Sequence, residues 1–272
     1  MPKPTFKLMI ATPSYGGAQA SFVGSVIEFI ALAERRGVET VFASLSHNPS
    51  INRARNVMAA TFIASDCTHL LFIDDDMGFE ADKLLSMIER AWDEGKSIVG
   101  APYPRRHIAW GQVEMLARTG RLAHSPASLM DAGGDFVFEP LAGNTALRID
   151  DWVECAKLGS GLMCIARPVF DAIAARQPEL AYILPAGGGA LTAAGDAEAT
   201  AFFHPLIEEE TRHLLSDDYA FCVRARAAGF SIFAAPWIRT SHTGPAEFAA
   251  NLPDLARLQS VAMPSQGVGK QA

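Results

Sequence analysis

Leu70-Leu71-Phe72-Ile73-Asp74-Asp75-Asp76 decides how this chain reads. Four apolar residues in a row, entered from His69, describe a short strand buried on both faces. Strands of that kind belong to parallel sheets with a helical layer on each side. The strand stops abruptly in three carboxylates. Like charges crowded at the end of a buried strand repel one another unless a cation offsets them. In an extended segment Asp74 and Asp76 point to the same side, so both are expected to face one ion. Oxygen ligands suit Mg²⁺ or Mn²⁺, ions that also hold phosphates. Two other uses of the aspartates fail on spacing. A calcium loop starting Asp74, Asp76, Gly78 needs glutamate at its twelfth position, which is Leu85. A Walker B strand needs a P-loop. The one Gly-Lys-Ser, at Gly95-Lys96-Ser97, has Arg90 where the earlier glycine belongs and follows the acidic strand.

Outward from this strand, strand and helix patterns alternate. Phe6 to Ala11 is a short apolar run that stops at the turn-rich Thr12-Pro13-Ser14-Tyr15-Gly16-Gly17. Phe22, Val26, Phe29, Ile30 and Ala33 recur at helical spacing up to Gly37, and Val38 to Leu45 reads as a strand. Ser50 is placed to cap a helix whose Ile51, Ala54, Met58 and Phe62 share a face. Leu84, Leu85, Ile88 and Trp92 define another helix, followed by a strand at Ser97–Val99. This order predicts an α/β fold with a mostly parallel central sheet and helices on both faces. Ligands of such sheets bind beyond the carboxyl ends of the strands, where the Tyr15 loop and the aspartates both fall.

From Pro102 to Trp152 the pattern loosens, with short strands expected near Val113–Ala117 and Phe136–Glu139. Strands return at Val153–Ala156 and Leu162–Ala166, and Pro168 suits the first turn of a helix through Ala175. Residues 185–201 are mostly Gly and Ala, as in a mobile loop. Ser216 is placed to cap a helix Asp217–Ala228, and Ser231–Ala234 is a last strand before the loop Ser241-His242-Thr243-Gly244. Phe248, Leu252, Leu255 and Leu258 suggest a C-terminal amphipathic helix ahead of a flexible tail. The organisation expected is one domain over residues 1–244 and an appended helix and tail over 245–272.

Composition excludes several classes. Of 272 residues, 49% are hydrophobic and 19% charged, which rules out wholesale disorder. A net charge of −7 leaves no global basic field for nucleic acid. Four cysteines without a CxxC pair read as small buried hydrophobes in a reducing compartment. Leu8-Met9-Ile10-Ala11 is too short for a signal-peptide core, and no run approaches the roughly 20 apolar residues of a membrane span. A cytoplasmic protein is expected, with peripheral attachment to a membrane still compatible.

Three further clusters have residue types suited to chemistry. Asp217 and Asp218 open a helix, where the macrodipole favours anions, and adjacent helical residues diverge by about 100°, so one of them points into a cleft. Arg53 and Arg55 lie in the first turn of the Ser50-capped helix, whose N-terminus suits phosphate. His242 stands alone after the last strand.

Taken in order, Asn52-Arg53-Ala54-Arg55-Asn56, Phe72-Ile73-Asp74-Asp75-Asp76, Gly159-Ser160-Gly161-Leu162-Met163, Leu215-Ser216-Asp217-Asp218-Tyr219 and Ser241-His242-Thr243-Gly244 resemble the GT-A glycosyltransferases, with glycosyltransferase family 2 and its bacterial relatives as the nearest group. The resemblance spans about residues 6–244. It implies a GT-A fold and a nucleotide-diphosphate sugar as donor. A single sugar would pass to an acceptor hydroxyl with inversion. Thr12, Pro13, Ser14 and Tyr15 would lie against the nucleoside, and Arg55 near the diphosphate. Asp75 and Gly161 are further donor-binding positions. Asp74, Asp76 and His242 would hold Mn²⁺ or Mg²⁺, and Asp218 would be the general base beside Asp217. The acceptor implied is a glycan, a lipid-linked sugar or a protein, and the C-terminal helix offers a surface for self-association. The chain departs from the family's pattern in having Asp217 where Glu is usual and Ser44-Leu45-Ser46-His47-Asn48 where a base-reading acid is usual. It also lacks the Gln-x-x-Arg-Trp motif of processive synthases. A sugar-nucleotide nucleotidyltransferase would carry basic residues in the Thr12–Gly17 loop, which has none. A non-catalytic nucleotide-sugar-binding module is the remaining alternative.

Overall fold

A computed structural model describes residues 6–120, 131–141, 150–185 and 196–244. The first half runs β1 (Lys7–Ser14), α1 (Ala20–Arg35), β2 (Glu39–Ser46), α2 (Ile51–Ile63), β3 (His69–Ile73), β4 (Met77–Phe79), α3 (Ala81–Asp93) and β5 (Ile98–Gly100). Then come α4 (Trp110–Arg118), β6 (Phe138–Pro140), β7 (Val153–Leu158), β8 (Leu162–Ala166) and α5 (Arg167–Arg176). The chain continues through β9 (Ala181–Leu184), β10 (Ala197–Thr200), β11 (Leu206–Ile207), β12 (Leu214–Leu215), α6 (Asp217–Ala227), β13 (Ile232–Ala234) and β14 (Thr240–His242).

Eight strands form the central sheet in the order β2-β1-β3-β8-β5-β13-β7-β6. β1 is parallel to β2 and β3, and β5 to β13. β8 opposes β3 and β5, while β7 opposes β13 and β6. Six strands therefore share one direction, and the sheet is mostly parallel as expected. Alternate residues of the central strands feed two cores. Leu8, Ile10, Leu71 and Ile73 pack with Phe22 and Phe29 of α1 and with Leu84 and Ile88 of α3. Met9, Leu70 and Phe72 pack on the opposite face with Phe62 of α2, Phe170 of α5 and Phe221 of α6. Both faces of β3 are thus buried, which accounts for its unbroken apolar run. All four cysteines are free and buried, and no helix among the described residues is long and apolar enough to cross a membrane.

The structure corrects several expectations. Val113–Ala117 lies in α4, not in a strand. Gln, Glu, Met, Leu, Ala and Arg are all good helix formers, and Glu114 pairs with Arg118 one turn on at 3.0 Å. Ala197–Thr200, expected in a loop, pairs antiparallel with β9. The Ser241 loop begins as β14, which pairs with β4, a strand the sequence pattern missed. Neither Ser50 nor Ser216 caps its helix with its side chain. The expected C-terminal helix and tail, over 245–272, lie outside the described residues, as do 186–195 of the Gly/Ala segment.

Arg167 clamps the end of α2. Its guanidinium donates to the carbonyls of Phe62, Ile63, Ser65 and Cys67 at 2.6–3.0 Å. Phe62 and Ile63 belong to the last turn of α2, where a cation also offsets the macrodipole, and Ser65 and Cys67 to the chain that follows it. Arg167→Ala is expected to lose about 2–3 kcal/mol, because hydrogen bonds to a charged group are worth that much and several carbonyls are orphaned together. A urea midpoint within error of wild type would show that water replaces the clamp.

His69 is buried between Phe6 and Trp92, edge-on to both rings. Its Nδ1 lies within hydrogen-bond distance of Thr68 Oγ1, at 2.9 Å. Burial pushes its pKa from the usual 6.5 down to about 4. A group whose folded pKa is depressed binds fewer protons folded than unfolded, so its contribution is whole above pH 6.5 and fades as pH falls toward 4. The loss over that window amounts to about 3 kcal/mol. His69→Phe should flatten the acid side of the stability curve, read from urea unfolding at pH 7, 5.5 and 4. Parallel curves for the two proteins would exclude His69 as the source.

Candidate active site

The site is built where β1 and β3 end. Beyond Ile73 the chain turns: the Met77 N–H donates to the Asp74 carbonyl at 3.1 Å. The three aspartates therefore occupy a tight turn instead of an extended segment, and each carboxylate points to a different partner. Asp75 reaches back to β1, accepting from Ser14 Oγ at 2.5 Å. Asp74 accepts from Arg55 Nη2 at 2.9 Å on each of its oxygens. Asp76 faces the other way, toward Arg106 and His242.

Arg55 is a bridge. Its Nη1 meets Asp217 Oδ2 at 2.5 Å, so one guanidinium ties the end of β3 to the first turn of α6. The side chain is 5% exposed. Arg55 also lines the cleft, with its charge paired to two of the protein's own carboxylates. Burial pushes the Asp74 carboxyl above its usual range in spite of Arg55, and the charges of Asp76 and Asp217 add to the rise. Both Asp74 oxygens accept from Arg55, whereas Asp76 keeps one oxygen without a donor.

β14 brings in the distant histidine. Its ladder with β4 sets His242 opposite Met77, and the Thr243 N–H donates to the Asp76 carbonyl at 2.9 Å. Gly78 lets the two strands close, because a Cβ there would collide with Ser241 Oγ. His242 Nδ1 lies 2.9 Å from the Pro104 carbonyl, an acceptor only, so Nδ1 carries the proton. Nε2 then has a free lone pair, which accepts from Arg106 Nε at 2.8 Å. Arg106 Nη2 meets Asp76 Oδ2 at 2.7 Å. The other oxygen, Asp76 Oδ1, is buried without a hydrogen-bond donor and lies 3.3 Å from His242 Nε2.

Tyr103 and Arg106 escaped the sequence reading, because their segment shows neither strand nor helix periodicity. The signal was local: a tyrosine between two prolines, then Arg105-Arg106-His107, a basic cluster in an acidic chain. The segment is held by pairing with residues 135–137, through Arg105 N to Asp135 O at 2.7 Å and Val137 N to Tyr103 O at 3.0 Å. The Tyr103 ring stands edge-on to His242, centroids 5.4 Å apart. Its hydroxyl accepts from the Gly161 N–H at 3.1 Å. The Gly159-Ser160-Gly161 segment is glycine-rich for this contact. A Cβ on Gly159 would strike the Tyr103 hydroxyl, and one on Gly161 would lie 2.9 Å from the ring and 3.0 Å from Asp74 Oδ2. Gly161 therefore supports the site from beneath.

These parts surround an open cleft of about 1060 Å³. Pro13, Ser14 and Tyr15 form one wall, with Tyr15 69% exposed. Asn48, Pro49 and the start of α2 form another, and Arg105, Arg106 and His107 a third. Asp74, Asp75, Asp76, His242 and Asp218 all reach the cleft. Thr12 does not line this cleft: it is 2% exposed, has an unpartnered hydroxyl, and borders a separate pocket with Ser14, Phe42 and Ser44. Of the α6 pair, Asp217 is buried on Arg55 and Asp218 turns to the cleft, as expected from helical divergence. Asp218 Oδ1 accepts from Ser216 Oγ and from the Tyr219 N–H.

Among the described residues, no group of three or more His, Cys, Asp or Glu side chains converges as a metal-binding set. Asp76 Oδ1 has lone pairs without a partner, whereas the His242 Nε2 lone pair is taken by Arg106.

No protein-family model matches the chain, and no curated protein matches it. Among solved structures, the chain is similar to the crystal structure of GalNAc-T7 with UDP, GalNAc and Mn2+, at a TM-score of 0.45 and 10% sequence identity. That likeness covers 88% of this chain and 44% of the other, so this chain spans less than half the length of that protein.

Proposed function

We propose that this protein is a GT-A glycosyltransferase that moves one sugar from a nucleotide-diphosphate donor to an acceptor hydroxyl, with inversion and with a divalent cation. The observation that carries the reading is the buried Asp76 Oδ1, without a hydrogen-bond donor and 3.3 Å from His242 Nε2, in a cleft that Asp76, His242 and Asp218 all line. The ordered motifs that resemble the GT-A enzymes support it.

Asp76 and His242 would hold the cation, and a mixed oxygen and imidazole pair fits Mn²⁺ better than Mg²⁺, which takes oxygen. When bound, the cation offsets charge on the diphosphate leaving group. The remaining steps belong to the chain's own side chains. Tyr15 offers an exposed ring to the nucleoside base beside Pro13 and Ser14. The start of α2 presents the positive end of a 13-residue helix to the cleft for the phosphates, with Arg105 nearby. Asp74, spent on Arg55, keeps Asp217 and the first turn of α6 in place. Asp218 takes the proton from the acceptor hydroxyl, which attacks the anomeric carbon from the face opposite the diphosphate. Attack from that face inverts the anomeric centre.

The test is a panel of nucleotide sugars incubated with Mn²⁺ or Mg²⁺ and simple acceptors. Release of nucleoside diphosphate that stops with chelator supports the reading. Pyrophosphate exchange would instead identify a nucleotidyltransferase, and binding without turnover a binding module.

A further inference from the structure

Arg106 occupies the place a cation would take. Its guanidinium spans both candidate ligands at once, with Nη2 on Asp76 Oδ2 at 2.7 Å and Nε on His242 Nε2 at 2.8 Å. Both bonds use lone pairs that a metal would use. An arginine donating to a neutral imidazole nitrogen is spending that nitrogen's one free lone pair. Asp76 keeps a second oxygen, Oδ1, buried and without a donor, so the arginine only partly replaces what the pair can bind. The side chains around it face solvent, while the backbone stays paired with residues 135–137. Arg106 is half-exposed, and its neighbours Arg105 and His107 are exposed and paired to one surface carboxylate, Asp135. Its aliphatic stem passes over Gly244, where a Cβ would lie 2.8 Å from Arg106 Cδ.

We infer that Arg106 is an internal cation that latches Asp76 to His242 until a divalent ion displaces its side chain. The inference rests on the metal-dependent reading above and adds a residue to it. A latch of this kind competes with the metal inside the molecule. The apparent metal affinity falls by the fraction of time the latch is open. A half-exposed pair of charged hydrogen bonds is worth about one factor of ten in that equilibrium after solvent screening.

The experiment titrates Mn²⁺ alone into the full chain, with no nucleotide, and reads free ion by electron paramagnetic resonance. Arg106→Gln, which removes the charge and the Nη2 that meets Asp76, should bind Mn²⁺ about tenfold more tightly than wild type. Adding Asp76→Asn to that variant should abolish the gain. Urea unfolding of each protein confirms that all are folded at the titration temperature. Equal or weaker binding by Arg106→Gln overturns the latch, as does a gain that survives in the double variant, and as does the absence of Mn²⁺ binding in every protein. The failures are separable. Equal affinities beside chelator-sensitive sugar transfer would sink the latch alone. A tenfold gain beside a silent nucleotide-sugar panel would sink the proposed reaction alone.

Discussion

Asp218→Asn is expected to abolish sugar transfer while leaving donor binding nearly intact. The substitution keeps the shape and an acceptor at Oδ1, where the Ser216 hydroxyl and the Tyr219 N–H converge, so the first turn of α6 should hold. What it removes is the carboxylate that can take a proton. Loss of a general base costs about 10²–10⁴-fold in rate. Asp217→Asn is the internal control. Its side chain is buried on Arg55, away from the cleft, so its loss acts on stability and alignment ahead of chemistry. The amide oxygen still accepts from Arg55, and the rate should fall much less than for Asp218→Asn. Each variant drops one charge at the same helix end, so the effects on the macrodipole nearly cancel in the comparison. Initial rates with a saturating donor decide it. An active Asp218→Asn beside a dead Asp217→Asn would overturn the assignment, and two active variants would take the base away from α6.

The second large effect belongs to Asp76. Asp76→Ala removes both the orphaned oxygen and the partner of Arg106, and leaves His242 without its carboxylate neighbour. Donor binding in the presence of Mn²⁺ should weaken by on the order of 100-fold or more, since the cation stabilises the diphosphate by several kcal/mol. The same loss should appear when wild-type protein is treated with chelator, and chelator should then change nothing further in Asp76→Ala. Calorimetry of nucleotide-sugar binding with and without chelator reads both. Equal affinity of the wild type in the two conditions would end the metal role of Asp76. Asp74→Ala should behave differently: it frees Arg55, so its main effect is expected in the urea midpoint and in the alignment of α6.

Periodicity and charge carried the α/β order of the first half. The apolar run of β3 could only be a strand with two buried faces, and the helical stripes of α1, α2 and α3 could only cover them. The gathering of Asp74, Asp75 and Asp76 at the end of β3 was also legible, because three carboxylates rarely follow a buried strand, but the tight turn that separates their side chains was not. Local signals failed where pairing is long-range. β4 and β14 are three residues each and become strands only by pairing with each other. The opposed directions of β7 and β8 depend on neighbours across the sheet, not on their own sequence. α4, with none of its residues buried, has no apolar stripe to read.

The sequence by itself determined which residues had to be buried and which carboxylates had to gather at the sheet's edge, since burial pattern and charge are properties of single segments. Only the tertiary structure decided how those charges are paired. Arg55 meets Asp217 across 162 positions and Arg106 meets His242 across 136. Such pairings are set by where the sheet delivers each side chain and by the need of every buried charge for a partner. Asp74 is thereby spent on Arg55, and Asp76 remains with an open oxygen facing His242.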